Sequence, residues 1–139
     1  MPTVRTLCIC LLFLLSVSAA SAAEPLTWTS YEDAKTKAAS ENKHIYLYFH
    51  SPQCSWCRTM ETKTLANEDV RAYLNAHFIP VSIHVDRNQA LADKFKVNGI
   101  PANIFLSPEG QGLFNRPGHI PPETFLRILQ IIHTGRHGQ

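Results

Sequence analysis

Two cysteines, Cys54 and Cys57, bracket Ser55 and Trp56 in a chain of 139 residues. If a helix begins at Cys54, the second thiol falls one turn further along the same face. The two Cα atoms then stand about 5–6 Å apart, a separation that a disulfide spans without backbone movement. Such a pair can open and close reversibly. Cys54 would face the free N–H groups and the positive end of the helix dipole, which lower a thiol pKa and supply thiolate. Cys57, inside the first turn, would be more enclosed. That asymmetry casts Cys54 as the attacking sulfur and Cys57 as the one that resolves a mixed disulfide.

Other chemistries are open to a Cys-x-x-Cys pair. A c-type haem attachment needs His directly after the second Cys, and Arg58 stands there. A structural zinc site needs four ligands, so two would have to come from His50, His84 or His119. The pair could instead hold a soft metal such as Cu(I) in a binding module, or be an inert disulfide, although so small a loop stabilises a fold little. The reading carried forward is redox exchange with no cofactor and no resident metal.

The cysteine count bears on this choice. Cys8 and Cys10 lie in an N-terminal segment with Arg5 as a short positive region and Leu7 to Val17 as an apolar core. Ser18-Ala19-Ala20-Ser21-Ala22-Ala23 follows. The apolar core is shorter than the roughly 20 residues of a membrane span, and the small residues fit a signal-peptidase site after Ala22 or Ala23. Neither Cys8 nor Cys10 follows the small-residue run that a lipid-attachment site needs. Residues 1–23 are therefore read as a cleaved signal peptide and 24–139 as one domain, with no stable membrane span after cleavage. Cleavage leaves Cys54 and Cys57 as the only thiols, in an oxidising compartment where spare thiols are a liability. Net charge is +2 and charged residues make up 17% of the chain. No run of Lys or Arg marks a nucleic-acid surface.

The elements that must position the pair alternate. Ser30 caps a helix to about Ser40, with Asp33 completing a capping-box-like pattern. Ile45 to Phe49 is a β-branched and aromatic strand, broken by Ser51-Pro52. The cysteine helix follows, to about Leu65. Asn67 caps a helix from Glu68 to Ala76. Val81, Ile83 and Val85 alternate as a second strand, with Pro80 expected at its start. Gln89 to Phe95 reads as helix. Asn103 to Leu106 and Gly112 to Asn115 form a hairpin through Ser107-Pro108-Glu109-Gly110, a turn with Pro second and Gly fourth. Pro121 and Pro122 open a last helix whose apolar side carries Phe125, Leu126, Leu129 and Ile132. The pattern predicts an α/β fold of three layers, a central mixed sheet flanked by helices.

Val97-Asn98-Gly99-Ile100-Pro101 precedes the hairpin. The order strand, Cys-x-x-Cys helix, strand, helix, Gly-Ile-Pro, hairpin, helix resembles the thioredoxin superfamily from about Leu26 to His133. The resemblance implies a cis peptide bond at Pro101, facing the cysteines, with Trp56, Ile100 and Pro101 lining a substrate groove. Cys57-Arg58-Thr59-Met60-Glu61, Asn67-Glu68-Asp69-Val70, Val85-Asp86 and Pro122-Glu123-Thr124-Phe125 are similar to the periplasmic electron-relay branch. Domains of that kind form the C-terminal part of the inner-membrane thiol:disulfide interchange protein. This similarity implies a periplasmic location, exported proteins as substrates and an upstream thiol as electron donor.

Three positions depart from the family pattern. Tyr48 stands where thioredoxins carry a buried Asp that assists proton transfer, His50 where they carry Trp, and Ala102 where they carry Thr. His50 is therefore the candidate for proton transfer. Ser55-Trp56 contains no His to stabilise the Cys54 thiolate, and no long helical insertion fits. The expected direction is reductant or electron relay.

Overall fold

The computed structural model describes residues 24–135. The signal-peptide expectation, with Cys8 and Cys10, lies outside the described residues. Helix α1 spans Tyr31–Glu41, capped by Ser30, whose Oγ accepts from the Asp33 N–H. Strand β1 spans His44–His50. Helix α2 spans Ser55–Thr59 and runs on as a π-helical segment, Met60–Leu65, whose wider turn buries Met60, Thr64 and Leu65. Helix α3 spans Glu68–His77, with the Asn67 side chain accepting from Val70 N–H at 3.1 Å. Then come β2 (Phe78–His84), a 3-10 turn (Val85–Arg87) and α4 (Gln89–Lys94). Strands β3 (Ala102–Leu106) and β4 (Gly112–Pro117) form the hairpin. Its turn closes with Gly110 N–H on the Ser107 carbonyl, Gly110 sitting at φ 85°. Helix α5 spans Pro122–Thr134 and ends on Gly135 at φ 69°.

The sheet order is β2-β1-β3-β4, with β1 parallel to β2 and the other pairs antiparallel. Alternation along the strands builds two cores. One face carries Ile45, Leu47, Phe49, Ile79, Val81, Ile83, Ala102, Ile104 and Leu106 against α1 and Ala92 of α4. The other carries Tyr46, Tyr48, Phe78 and Phe105 against Met60, Val70, Leu74, Phe125, Leu129 and Ile132. Because both faces are covered, β1 reads as an unbroken apolar run. The three-layer α/β class expected from the sequence is the one observed.

The second strand differs in its limits. It begins at Phe78, Val85 falls in the following turn, and Pro80 lies inside the strand, opposite Tyr46. Strand β2 is an edge. The Pro80 carbonyl accepts from Thr29 N–H, on the side away from β1. A residue's N and C=O point to the same side of a strand, so the missing N–H removes no ladder bond. Leu126, placed on the apolar side of the last helix, is only partly buried.

Candidate active site at the end of the central strand

Strand β1 delivers the chain to His50, Ser51 to Gln53 turn it, and Cys54 caps the helix. Cys54 has extended backbone (φ −86°, ψ 108°), so its side chain stands beside the helix entrance. Its Sγ accepts from Cys57 N–H at 3.1 Å. The two sulfurs are joined as a disulfide, with Cα atoms 5.2 Å apart. Cys54 is partly exposed, and Cys57 is 1% exposed against the β1 face of the core. The half-open sulfur thus sits where free N–H groups and the helix dipole favour negative charge, and its partner is shielded. Arg58 lines the small cavity beside Cys54 together with Pro52, Gln53 and Ser55, adding positive charge.

Beneath the pair lies a polar cluster. The Tyr48 hydroxyl is 3.2 Å from both the Cys57 carbonyl and Glu61 Oε1, and donates to either. Burial, followed by the Glu61 charge, holds the Tyr48 phenol well above its usual range, so it stays a donor. His50 stacks on the Tyr48 ring at 5.1 Å, places Nε2 2.8 Å from Ser82 Oγ and Nδ1 3.8 Å from Glu61 Oε1. Burial lowers the His50 pKa, Glu61 works against that, and His84 adds to it.

The Ile100–Pro101 peptide bond is cis. Ala102 pairs with Phe49, so one rung further Pro101 lies across from His50 at the cysteine end of the sheet. The Pro101 carbonyl accepts from Gly118 N–H at 2.7 Å, tying this segment to the loop after β4. Trp56 is 62% exposed and stacks at 6.1 Å on His119 from that loop.

Sequence reasoning named the cysteines, His50, Trp56, Ile100 and Pro101, and the fold gathers these at one end of the sheet. It passed over Glu61 as a partner of Tyr48, although Glu61 lies four residues after Cys57 and so on the same helical face. It also passed over His119 as the partner of Trp56, and Trp28, which stacks on Tyr48 at 6.1 Å. Nothing in the sequence signals those long-range contacts. Of the histidines considered as zinc ligands, His84 meets His50 edge-on at 5.9 Å, while His119 stacks on Trp56 instead. Among the described residues no group of three or more His, Cys, Asp or Glu converges on one point.

Residues 31–132 match the family model of the thioredoxin-like domain. Disulfide bond reductase DsbH of Chlamydia pneumoniae is 29% identical over 104 residues, which cover 66% of this chain and 63% of that protein. Spermatogenesis-associated protein 20 of Rattus norvegicus is 34% identical over 111 residues, 71% of this chain but 14% of that one. The chain thus spans less than two thirds of either relative. Among solved structures, a thioredoxin from Thermus thermophilus superposes with a TM-score of 0.70 at 29% identity, over 84% of this chain and 98% of that one. A DsbH oxidoreductase superposes at 0.69 with 22% identity, over 85% and 89%, a likeness of fold.

Proposed function

The chain belongs to the thioredoxin-like domain family, and from that premise we propose that it is a thiol–disulfide oxidoreductase acting on exported proteins through Cys54 and Cys57. One observation carries the reading: a partly exposed sulfur at a helix N-cap, bonded to a buried sulfur one turn on. In the reduced protein the Cys54 thiolate attacks a substrate disulfide, forming a mixed disulfide and releasing one substrate thiolate. Cys57 then loses its proton and attacks Cys54 Sγ, restoring the internal disulfide and releasing the second substrate thiol. His50, with Glu61 and Tyr48, is the group we assign to taking the Cys57 proton. Trp56, Ile100 and Pro101 line the groove that receives the substrate. An upstream thiol donor re-reduces the pair. The soft-metal alternative is not favoured, since the relative of stated activity is a disulfide reductase.

The direction we assign is reductive, with a potential nearer the roughly −270 mV of thioredoxin than the roughly −120 mV of the strong oxidants. The absence of His between the cysteines and the name of the reductase relative support it. We place the protein in the periplasm after removal of residues 1–23. Mass spectrometry of envelope-fraction protein starting near Ala23 or Glu24 supports this, and an intact Met1 in the cytoplasm overturns it.

Cysteine replacement tests the central claim. Cys57→Ser should trap substrates covalently through Cys54, Cys54→Ser should trap none, and the native protein should accelerate insulin reduction by dithiothreitol. Equal trapping by both variants, or no acceleration, refutes the assignment.

A further inference from the structure

The two edges of the sheet are treated differently. On the β2 side, Thr29 N–H bonds the Pro80 carbonyl, so the segment before α1 shields that edge. Strand β4 is the other edge, all six residues from Gly112 to Pro117 are exposed, and among the described residues no strand pairs with its outer side. Which groups point outward follows from one bond. Gly118 N–H donates to Pro101 O, toward β3. Alternation turns Arg116 and Phe114 the same way and leaves Asn115 with its N–H and C=O facing out, up to the β-bulge that sets Leu113 apart from the ladder. Pro117 shares the outward orientation, where its missing N–H costs nothing.

Beside this edge runs a groove. Helix α1 packs chiefly on β1 and β2, and beside β4 the sheet is lined by the end of α4 and the segment after it. Two adjoining cavities of about 360 and 240 Å³ share Lys96 and Asn115. Their apolar lining includes Phe95, Val97, Ile104 and Leu106. Lys94 and Lys96 are exposed at the rim, and no carboxylate lines either cavity. Lys94 Nζ donates to Tyr31 OH at 3.1 Å and lies over the Tyr31 and Phe95 rings, which fixes its charge in place. Asp93, next in sequence, accepts instead from Gln89.

An open strand edge, an apolar floor and two unneutralised lysines specify one kind of occupant. We propose that the β4 edge and its groove dock an extended segment of a partner protein that alternates apolar with acidic residues, adding it as a fifth strand. The Asn115 N–H and C=O and the Pro117 carbonyl would hold the strand, the floor would take alternate apolar side chains, and Lys94 and Lys96 would select the acidic ones. A second copy of this chain fits less well, because each copy would bring its lysine rim to the same symmetric seam. The groove also leads to the chemistry: Pro117 pairs with Ala102, next to Pro101, and His119 stacks on Trp56. Naming the occupant as a redox partner rests on the function proposed above; the docking itself does not.

The test uses two fluorescein-labelled eight-residue peptides, one alternating Val with Glu and one alternating Val with Lys. Anisotropy should show binding of the Glu peptide only, weakening as salt is raised. The double variant K94E/K96E should lose at least about tenfold in affinity, the scale of attractive charge contacts made repulsive. Asn115→Pro should abolish binding while keeping its urea midpoint, since it copies the orientation that Pro117 already has. Amide shifts should centre on Leu113 to Pro117. The proposal is overturned if the Glu peptide does not bind, if both variants bind it like the native protein, if the shifts map to β2 or the cysteine loop, or if the edge is occupied by a second copy in a dimer. Insulin reduction, run in parallel, fails independently: peptide binding without reductase activity refutes the redox reading and leaves the docking site standing.

Discussion

Two tyrosines on one strand offer a controlled comparison of buried hydroxyls. Tyr46 and Tyr48 both point into the core beneath the cysteine helix, and both are essentially inaccessible. Tyr46 OH donates to Asn103 Oδ1 at 2.8 Å, and Asn103 is itself 0% exposed. The Asn103 amide in turn donates to the carbonyls of Arg116 and Gly118, at 3.2 and 3.1 Å. Replacing Tyr46 with Phe removes one hydrogen bond and strands a buried acceptor that water cannot reach. A stranded buried acceptor costs about 1–3 kcal/mol rather than the roughly 1 of an ordinary exchanged bond, and with the site closed to water a loss in the upper part of that range, about 2–3 kcal/mol, is expected. Tyr48→Phe deletes the same atom with a different aftermath. The Cys57 carbonyl still accepts from Met60 N–H, and the Glu61 side chain is 46% exposed and rehydrates. No group is stranded, and about 1 kcal/mol is expected. Equilibrium urea unfolding of the oxidised protein, with m unchanged, measures both. Equal losses, or a larger loss for Tyr48→Phe, would show that stranding of the Asn103 oxygen is not what sets the cost.

Phe125→Ala should cost about 3–5 kcal/mol, because Phe125 is 0% exposed and packs on Tyr46 and Phe105 at 5.4 and 6.0 Å; denaturant titration checks it. Trp56→Ala should change stability by less than about 0.5 kcal/mol, since the indole is mostly in solvent, yet should slow insulin reduction by removing a wall of the groove. Burial holds His50 and His77 below their ordinary value of 6.5, and for His77 the stacked His133 adds to the effect. The unfolded chain therefore binds more protons than the folded one once pH falls below about 6.5. Stability should be flat above about pH 7 and decline between about 6.5 and 5, before carboxylates titrate. His77→Gln should flatten part of that decline in urea midpoints taken at pH 7.5 and 5.5; an unchanged slope would contradict it.

Much of this protein is local, and what is local was legible in the residues. Ser30, Asn67 and the Pro121-Pro122 pair mark helix starts because a cap needs only its own next three residues. The spacing of Cys54 and Cys57 fixes their separation because one helical turn does so wherever the helix lies. The unbroken apolar run from Ile45 to Phe49 declares a strand covered on both faces, and Ser107 to Gly110 declares its turn. Other features depended on which elements become neighbours. Pro80 sits inside β2 because that strand is an edge, and an edge is a property of the sheet. Glu61 becomes the partner of Tyr48 and His50 only when the cysteine helix packs across β1. His119 reaches Trp56 only because Gly118 is tied to Pro101 at the end of the β3–β4 hairpin. Caps, turns and spacings are set by torsions over a few residues; edges, stacks and shared protons are set by contacts between residues far apart in the chain, and only packing chooses those.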